Sequence, residues 1–152
     1  MTGMMLDHEG LDVYRLAPDF LVIANTVIEG FPRGRSPLAD QFTRASLSIV
    51  LNIAEGAGKH SKPDKRRYYL TARGSATESA ALLDVCHRLN LIQEKELSVG
   101  KEHVVRIVSM LMKLRGALTA KCATKAKRIR WQSPQRSCGV FSRNGWRSAE
   151  TA

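Results

Sequence analysis

The chain has 152 residues, enough for one compact domain and too few for two ordinary ones. Its 24 basic and 14 acidic residues give a net charge of +10, so polyanions such as nucleic acid or an acidic membrane surface are the first partners to consider. The hydrophobic content of 43% excludes global disorder, and no apolar run is long enough for a membrane span.

The cysteines and the N-terminus bear on the compartment. Cys86, Cys122 and Cys138 are odd in number and lack CxxC spacing, which argues against a disulfide framework and a standard zinc cage. The first ten residues lack the basic-then-apolar pattern of a secretory signal. These features together predict a cytoplasmic protein.

Four segments show helical periodicity, and none shows sustained strand alternation. The first runs from about Leu11 to Glu29 and ends at Gly30, with an apolar stripe of Tyr14, Ala17, Leu21, Ala24 and Ile28. Pro18 lies inside this segment, where a proline costs about 3 kcal/mol. Either Pro18 kinks the helix or the regular helix begins there.

The second segment begins with Ser36 as the predicted N-cap and Pro37 at the first helical position. We expect it to end at Gly56 and Gly58, because glycine readily takes the backbone conformation that stops a helix. Its inward stripe is Leu38, Phe42, Ala45, Ile49, Asn52 and Ile53.

The third segment begins near Pro63, with Ser61 or Lys62 as cap. Its predicted inward stripe is Tyr69, Ala72, Ala76, Ser79, Leu83 and Cys86, and a second register contains Tyr68, Ser75, Leu82 and Leu89. The fourth segment runs from about Glu94 to Leu118, and Gly100 predicts an irregular first turn or two. Its inward stripe is Val104, Ile107, Val108, Leu111, Leu114 and Leu118.

Short connections between the segments predict an all-α fold, an antiparallel up-down-up-down four-helix bundle over residues 1–118. Residues 119–152 contain eight basic residues and one acidic residue, and they predict a basic, weakly structured C-terminal extension. The apolar stripes of the third and fourth helices are wide for a monomer, so we expect a homo-oligomer.

Two motifs carry a family resemblance. Residues Arg44–Gly56 (RASLSIVLNIAEG) and Tyr68–Glu78 (YYLTARGSATE) resemble signatures of the small proteins encoded in intervening sequences of bacterial 23S rRNA genes. The accessory variability determinants of diversity-generating retroelements are similar to this group. The resemblance spans about Leu11 to Leu118. It implies a bundle that assembles into a ring, usually a pentamer, and that binds nucleic acid or a nucleic-acid enzyme without catalysis.

The motif residues have mainly structural interpretations. Asn52 is expected to bridge to a neighbouring helix or loop, and Glu55 to pair with Arg44, Arg73 or the loop backbone. Gly74 and Ser75 predict a point of close helix approach. The full structural set is Asn52, Glu55, Gly56, Gly74, Ser75 and Glu78.

A run of cations follows the first motif and is the best ligand candidate in the domain. Tyr68 and Tyr69 come next and could stack on unpaired bases, although their phase predicts that at least one lies in the core. The alternative is a solvated charged face. The predicted nucleic-acid-binding residues are Arg44, Lys59, Lys62, Lys65, Arg66, Arg67, Arg73, Lys121, Lys125, Lys127, Arg128 and Arg130.

No catalytic motif, metal site or cofactor site is predicted. The four histidines are scattered, and Cys86 and His87 point about 100° apart on a helix. The first hypothesis is a non-enzymatic oligomeric adaptor that binds RNA or DNA. An extended form of this hypothesis has the adaptor also hold a nucleic-acid enzyme such as a reverse transcriptase. The alternatives are a protein-interaction scaffold and a membrane-surface protein, and the missing apolar face in the extension weakens the latter.

Overall fold

The computed structural model describes residues 6–126, and the side chains of residues 6–118. It contains four helices: α1 (Asp12–Glu29), α2 (Ser36–Gly58), α3 (Lys62–Arg88) and α4 (Glu94–Ala126). In this part of the chain every regular element is a helix, so the fold is an all-α four-helix bundle. None of the four described helices is both long and apolar enough to cross a lipid bilayer.

Each helix packs against its neighbours in sequence, and α4 closes the bundle by packing against α1. Among the described residues, the diagonal pairs α1–α3 and α2–α4 do not bring their Cα atoms within 8 Å of each other. One apolar core therefore lies between all four helices. Its largest fully buried side chains are Phe20, Phe42, Ile49, Ile53, Leu83, Ile107 and Leu111.

The predicted inward face is confirmed most completely on α3, where the buried residues are those of the predicted stripe. On α1 the buried face is rotated relative to the prediction. Tyr14, Leu21 and Ile28 are only partly buried. Because α1 packs against both α2 and α4, its buried set is wider than one stripe and contains Val13, Leu16, Ala17, Phe20, Ala24 and Val27.

The structure confirms the predicted start of α1 near Leu11 and the Ser61 cap of α3, and it corrects one alternative and one cap. Helix α1 begins at Asp12 and runs through Pro18, so the alternative that it begins at the proline is wrong. Helix α2 has Arg35 rather than Ser36 as its N-cap, with no side-chain cap. Ser61 does cap α3, since its hydroxyl accepts from the Asp64 backbone N–H at 3.2 Å.

Three glycines have roles that differ from the predictions. Gly56 lies inside α2, where an added Cβ would stand 2.7 Å from Tyr69 Cε1, so it permits close approach of α2 and α3 and does not stop the helix. Gly74, predicted as such a point, is exposed with nothing within 4 Å of an added Cβ. Gly100 is buried against Leu83, and α4 is regular from Glu94.

These contacts predict opposite effects of the same substitution. Gly56→Ala should lower the free energy of unfolding by about 1–3 kcal/mol, because the ring of buried Tyr69 cannot move aside easily. The control Gly74→Ala should raise it by about 0.5–1 kcal/mol, because alanine favours the helix and meets no neighbour. Urea unfolding of both variants measures the difference, and stabilisation by both would contradict the close contact at Gly56.

The fourth helix is longer than predicted. It continues past Leu118 to Ala126, because residues 119–126 contain no glycine or proline and include three alanines. The predicted domain boundary after Leu118 therefore falls within a helix. The rest of the predicted extension, residues 127–152, lies outside the described residues.

Candidate nucleic-acid interface

The junction between α2 and α3 gathers the predicted cations. Helix α2 ends at Gly58 and α3 begins at Lys62, so the end of one helix adjoins the start of the next. The Ser61 hydroxyl also donates to the Asp64 carboxylate, which reinforces the turn. We call the cations of this turn and the first turns of α3 the α2–α3 basic cluster: Lys59, Lys62, Lys65, Arg66 and Arg67.

Lys65 has a structural role within this cluster. Its Nζ donates to the Ala57 carbonyl at 3.0 Å, and the side chain is partly buried. This carbonyl belongs to the last turn of α2, where backbone acceptors lack helical partners and the helix dipole is negative. Lys65 therefore stabilises the end of α2.

Lys59 and Arg67 meet at the ring of Tyr68. Lys59 Nζ lies 4.9 Å from the ring centroid and Arg67 Cζ lies 5.2 Å from it, both within cation–π range. Lys59 also pairs with Glu55 at 3.4 Å. A hydrogen bond with Glu55, with a further contribution from Tyr68, raises the pKa of Lys59.

Lys62 and Arg66 are the exposed members of the cluster without such contacts to Tyr68 or α2. Arg66 and Arg67 line a shallow surface hollow with Pro63, Leu70 and Thr71. Between residues 55 and 73 the sequence has six lysines and arginines and two acidic residues. The junction is therefore a cationic surface that could take several phosphate groups.

The two tyrosines separate into a core residue and a surface residue, as their phase predicted. Tyr69 is buried against Gly56, and burial raises the pKa of its hydroxyl. Tyr68 is partly exposed. Any aromatic contact that these two residues make with a ligand must therefore come from Tyr68.

The remaining predicted binding residues do not join the cluster as one site. Arg44 is exposed on α2 but lies fifteen residues before Lys59, about 22 Å along a helix. Arg73 is partly buried farther along α3. Lys121 and Lys125 lie in the last turns of α4, and Lys127, Arg128 and Arg130 fall outside the described residues.

Polar motif residues tie α2 to α3, although not always by the predicted partners. Asn52 donates to the Ser48 carbonyl at 2.8 Å and to the Ser48 hydroxyl at 3.0 Å. The Ser48 hydroxyl in turn contacts that of Ser75 on α3 at 2.9 Å, so Asn52 reaches α3 only through Ser48.

Two acidic motif residues also find partners. Glu55 pairs with Lys59. Among the described residues Glu55 makes no ion pair with Arg44 or Arg73, so those predicted partners are wrong; Lys59, four residues further on, is a natural partner on the same face of a helix. Glu78 accepts from Gln41 Nε2 on α2. The sequence analysis missed both Ser48 and Gln41, although each lies on the α2 face that looks toward α3.

The described residues contain no group of three or more His, Cys, Asp or Glu side chains that could hold a metal ion. Cys86 is buried, and burial raises the pKa of its thiol, which lowers the fraction of the reactive thiolate form. His87 Nε2 lies 3.1 Å from Glu94 across the turn between α3 and α4, which is an ordinary surface pair.

The fold and this surface define a basic four-helix-bundle protein with a cluster of five cations at one interhelical turn. The family model described as "23S rRNA-intervening sequence protein" matches residues 9–113, which include α1, α2, α3, both sequence motifs and most of α4. The chain belongs to this family, as the two motifs predicted. None of the curated proteins matches the chain.

Proposed function

We propose that the protein is a non-enzymatic, oligomeric adaptor that binds the phosphate backbone of RNA or DNA. The observation that supports it most strongly is the α2–α3 basic cluster, in which Lys62, Arg66 and Arg67 stand at an exposed helix start. Positive side chains at this position are unfavourable within the fold, because the N-terminus of a helix already carries partial positive charge. Phosphate oxygens would offset that cost and would also favour the helix N-terminus itself.

Such a surface is suited to affinity without sequence preference. Contacts from lysine and arginine to phosphates position a protein on nucleic acid but do not identify bases. The basic extension would add contacts of the same kind. We therefore expect RNA and DNA of different sequences to bind with similar affinity.

We further propose that the helices are antiparallel and that the chain assembles into a ring, with five copies as the expected number. Large apolar side chains remain exposed on the outer faces of all four helices, rather than on α3 and α4 alone; examples are Val22, Leu47, Leu51, Val85, Val99, Val105 and Met112. Repeating the cluster around one axis would strengthen a weak surface through avidity.

Assembly has a direct test. Light scattering coupled to gel filtration should give a mass several times the 16.9 kDa of one chain. The physical reason is that burial of the exposed apolar side chains between copies removes them from water. A monomeric mass at micromolar concentration would contradict both the assembly and the avidity argument.

A cytoplasmic adaptor of this kind could hold a nucleic-acid enzyme, such as a reverse transcriptase, against its template. The alternative function is a protein-interaction scaffold that does not bind nucleic acid directly. The apolar groove between α1 and the start of α4, lined by Val22, Ile23, Thr26 and Val99, favours that alternative.

Titration of a fluorescently labelled RNA and a labelled DNA with the intact chain distinguishes the two functions. The adaptor should bind both at about 150 mM salt, where non-specific binders typically show dissociation constants of about 10⁻⁴ to 10⁻⁶ M. The scaffold should show no binding at that ionic strength, and its anisotropy signal should not change.

A further inference from the structure

Tyr68 joins cations from two different elements of the bundle. Lys59 is the C-cap of α2, whereas Arg67 lies in the second turn of α3, and both charges stand within about 5 Å of the same ring centroid. Lys59 also pairs with Glu55 at 3.4 Å. The ring is therefore the common contact of two charged groups that approach it from different helices.

The contacts with the Tyr68 ring restrict the motion of Lys59 and Arg67 before a ligand binds. The negative π-surface of a tyrosine attracts a cation and restricts its motion. A flexible lysine and arginine held in this way lose less conformational entropy when they bind a phosphate. The ring thus acts on binding through the cations that it orients.

The same geometry disfavours the other use of an exposed tyrosine, stacking on an unpaired base. A base would compete with Lys59 and Arg67 for the π-surface that they occupy. Tyr69 offers no substitute, because it is buried in the core.

Building on the proposed function, we infer that Tyr68 is a positioning residue that holds Lys59 and Arg67 for backbone phosphates. The α2–α3 basic cluster then binds paired and unpaired strands alike, since both present phosphates. It does not select for unpaired bases.

The first test compares a short RNA duplex with one of its separated strands. Tyr68→Leu should weaken binding of both probes by the same factor, roughly 2- to 10-fold, because the cation–π contacts are lost. Tyr68→Phe keeps the aromatic ring, so this variant should bind both probes as the unsubstituted chain does. A base-stacking role predicts a loss of roughly 5- to 150-fold for the single strand alone, and that result would overturn the inference.

A double-mutant cycle separates positioning from a general structural effect. In a Lys59→Gln, Arg67→Gln background, Tyr68→Leu should cause no further loss of affinity, because the ring has no cations left to orient. An equal loss in both backgrounds would show that Tyr68 acts independently of these cations and would overturn the inference.

A third measurement uses the unsubstituted chain and does not depend on how the variants fold. A single strand that contains 2-aminopurine should bind without the fluorescence quenching that stacking on tyrosine would cause. Quenching on binding would overturn the inference and leave the proposed function intact. Failure of both duplex and strand to bind would overturn the two together.

Discussion

Replacement of Lys62, Arg66 and Arg67 by glutamine is expected to weaken binding of both RNA and DNA by roughly 10- to 100-fold at low salt. It should also reduce the slope of log affinity against log salt by about 2 to 3, because each lost phosphate contact removes about 0.7 to 0.9. Fluorescence anisotropy titrations over a range of salt measure both quantities. The fold should be unchanged, because these three side chains are exposed.

The choice of these three cations depends on the contacts at the junction. Lys65 is retained because its bond to the Ala57 carbonyl stabilises the end of α2, so its loss would mix a folding effect with a binding effect. The matched control replaces Lys95, Arg106 and Lys113, three exposed cations of α4, and lowers the net charge equally. An equal loss of affinity in the control would contradict a localised site, because it would attribute binding to net charge alone.

Leu83→Ala is expected to have the largest effect on stability, a loss of about 2–5 kcal/mol in the free energy of unfolding. Leu83 is fully buried where α3 meets α4, and its side chain fills the space beside Gly100. The control Leu89→Ala removes the same atoms from an exposed position on the surface after α3 and should cost less than about 1 kcal/mol. Urea unfolding measures both.

The contact between Leu83 and Gly100 also predicts how a substitution at Gly100 changes stability. In the wild-type chain an added Cβ at Gly100 would stand 2.8 Å from Leu83 Cδ1, so Gly100→Ala should destabilise. In the Leu83→Ala background the same substitution should stabilise, because the space is free and alanine favours the helix. A change with the same sign in both backgrounds would contradict the close packing of α3 on α4 at this point.

The sequence was sufficient to predict the four helices and most of the core, because helical periodicity alone reports which face is apolar. The buried set of α3, from Tyr69 to Cys86, is the clearest case. Periodicity does not report which glycine meets a neighbouring helix. The close approach was predicted at Gly74 and Ser75. Ser75 does contact Ser48 of α2, but Gly74 is exposed, and the glycines that meet a neighbouring helix are Gly56 and Gly100.

The candidate site was predictable as a concentration of charge but not as an arrangement of contacts. The run of basic residues in the sequence located the cations around Lys62 and Arg66. It could not distinguish Lys65, which bonds to the end of α2, from its exposed neighbours. It also could not show that Tyr68 lies beneath two cations, since that depends on the angle at which α2 enters the turn.

The central claim, that the protein binds nucleic acid through its phosphates, is tested most directly by the salt dependence of binding by the intact chain. Anisotropy titrations of one labelled duplex at several salt concentrations from about 50 to 200 mM give that dependence. We predict detectable binding throughout and a linear fall of log affinity with log salt. No detectable binding near 150 mM salt, or an affinity that does not change with salt, would contradict the claim and favour the scaffold.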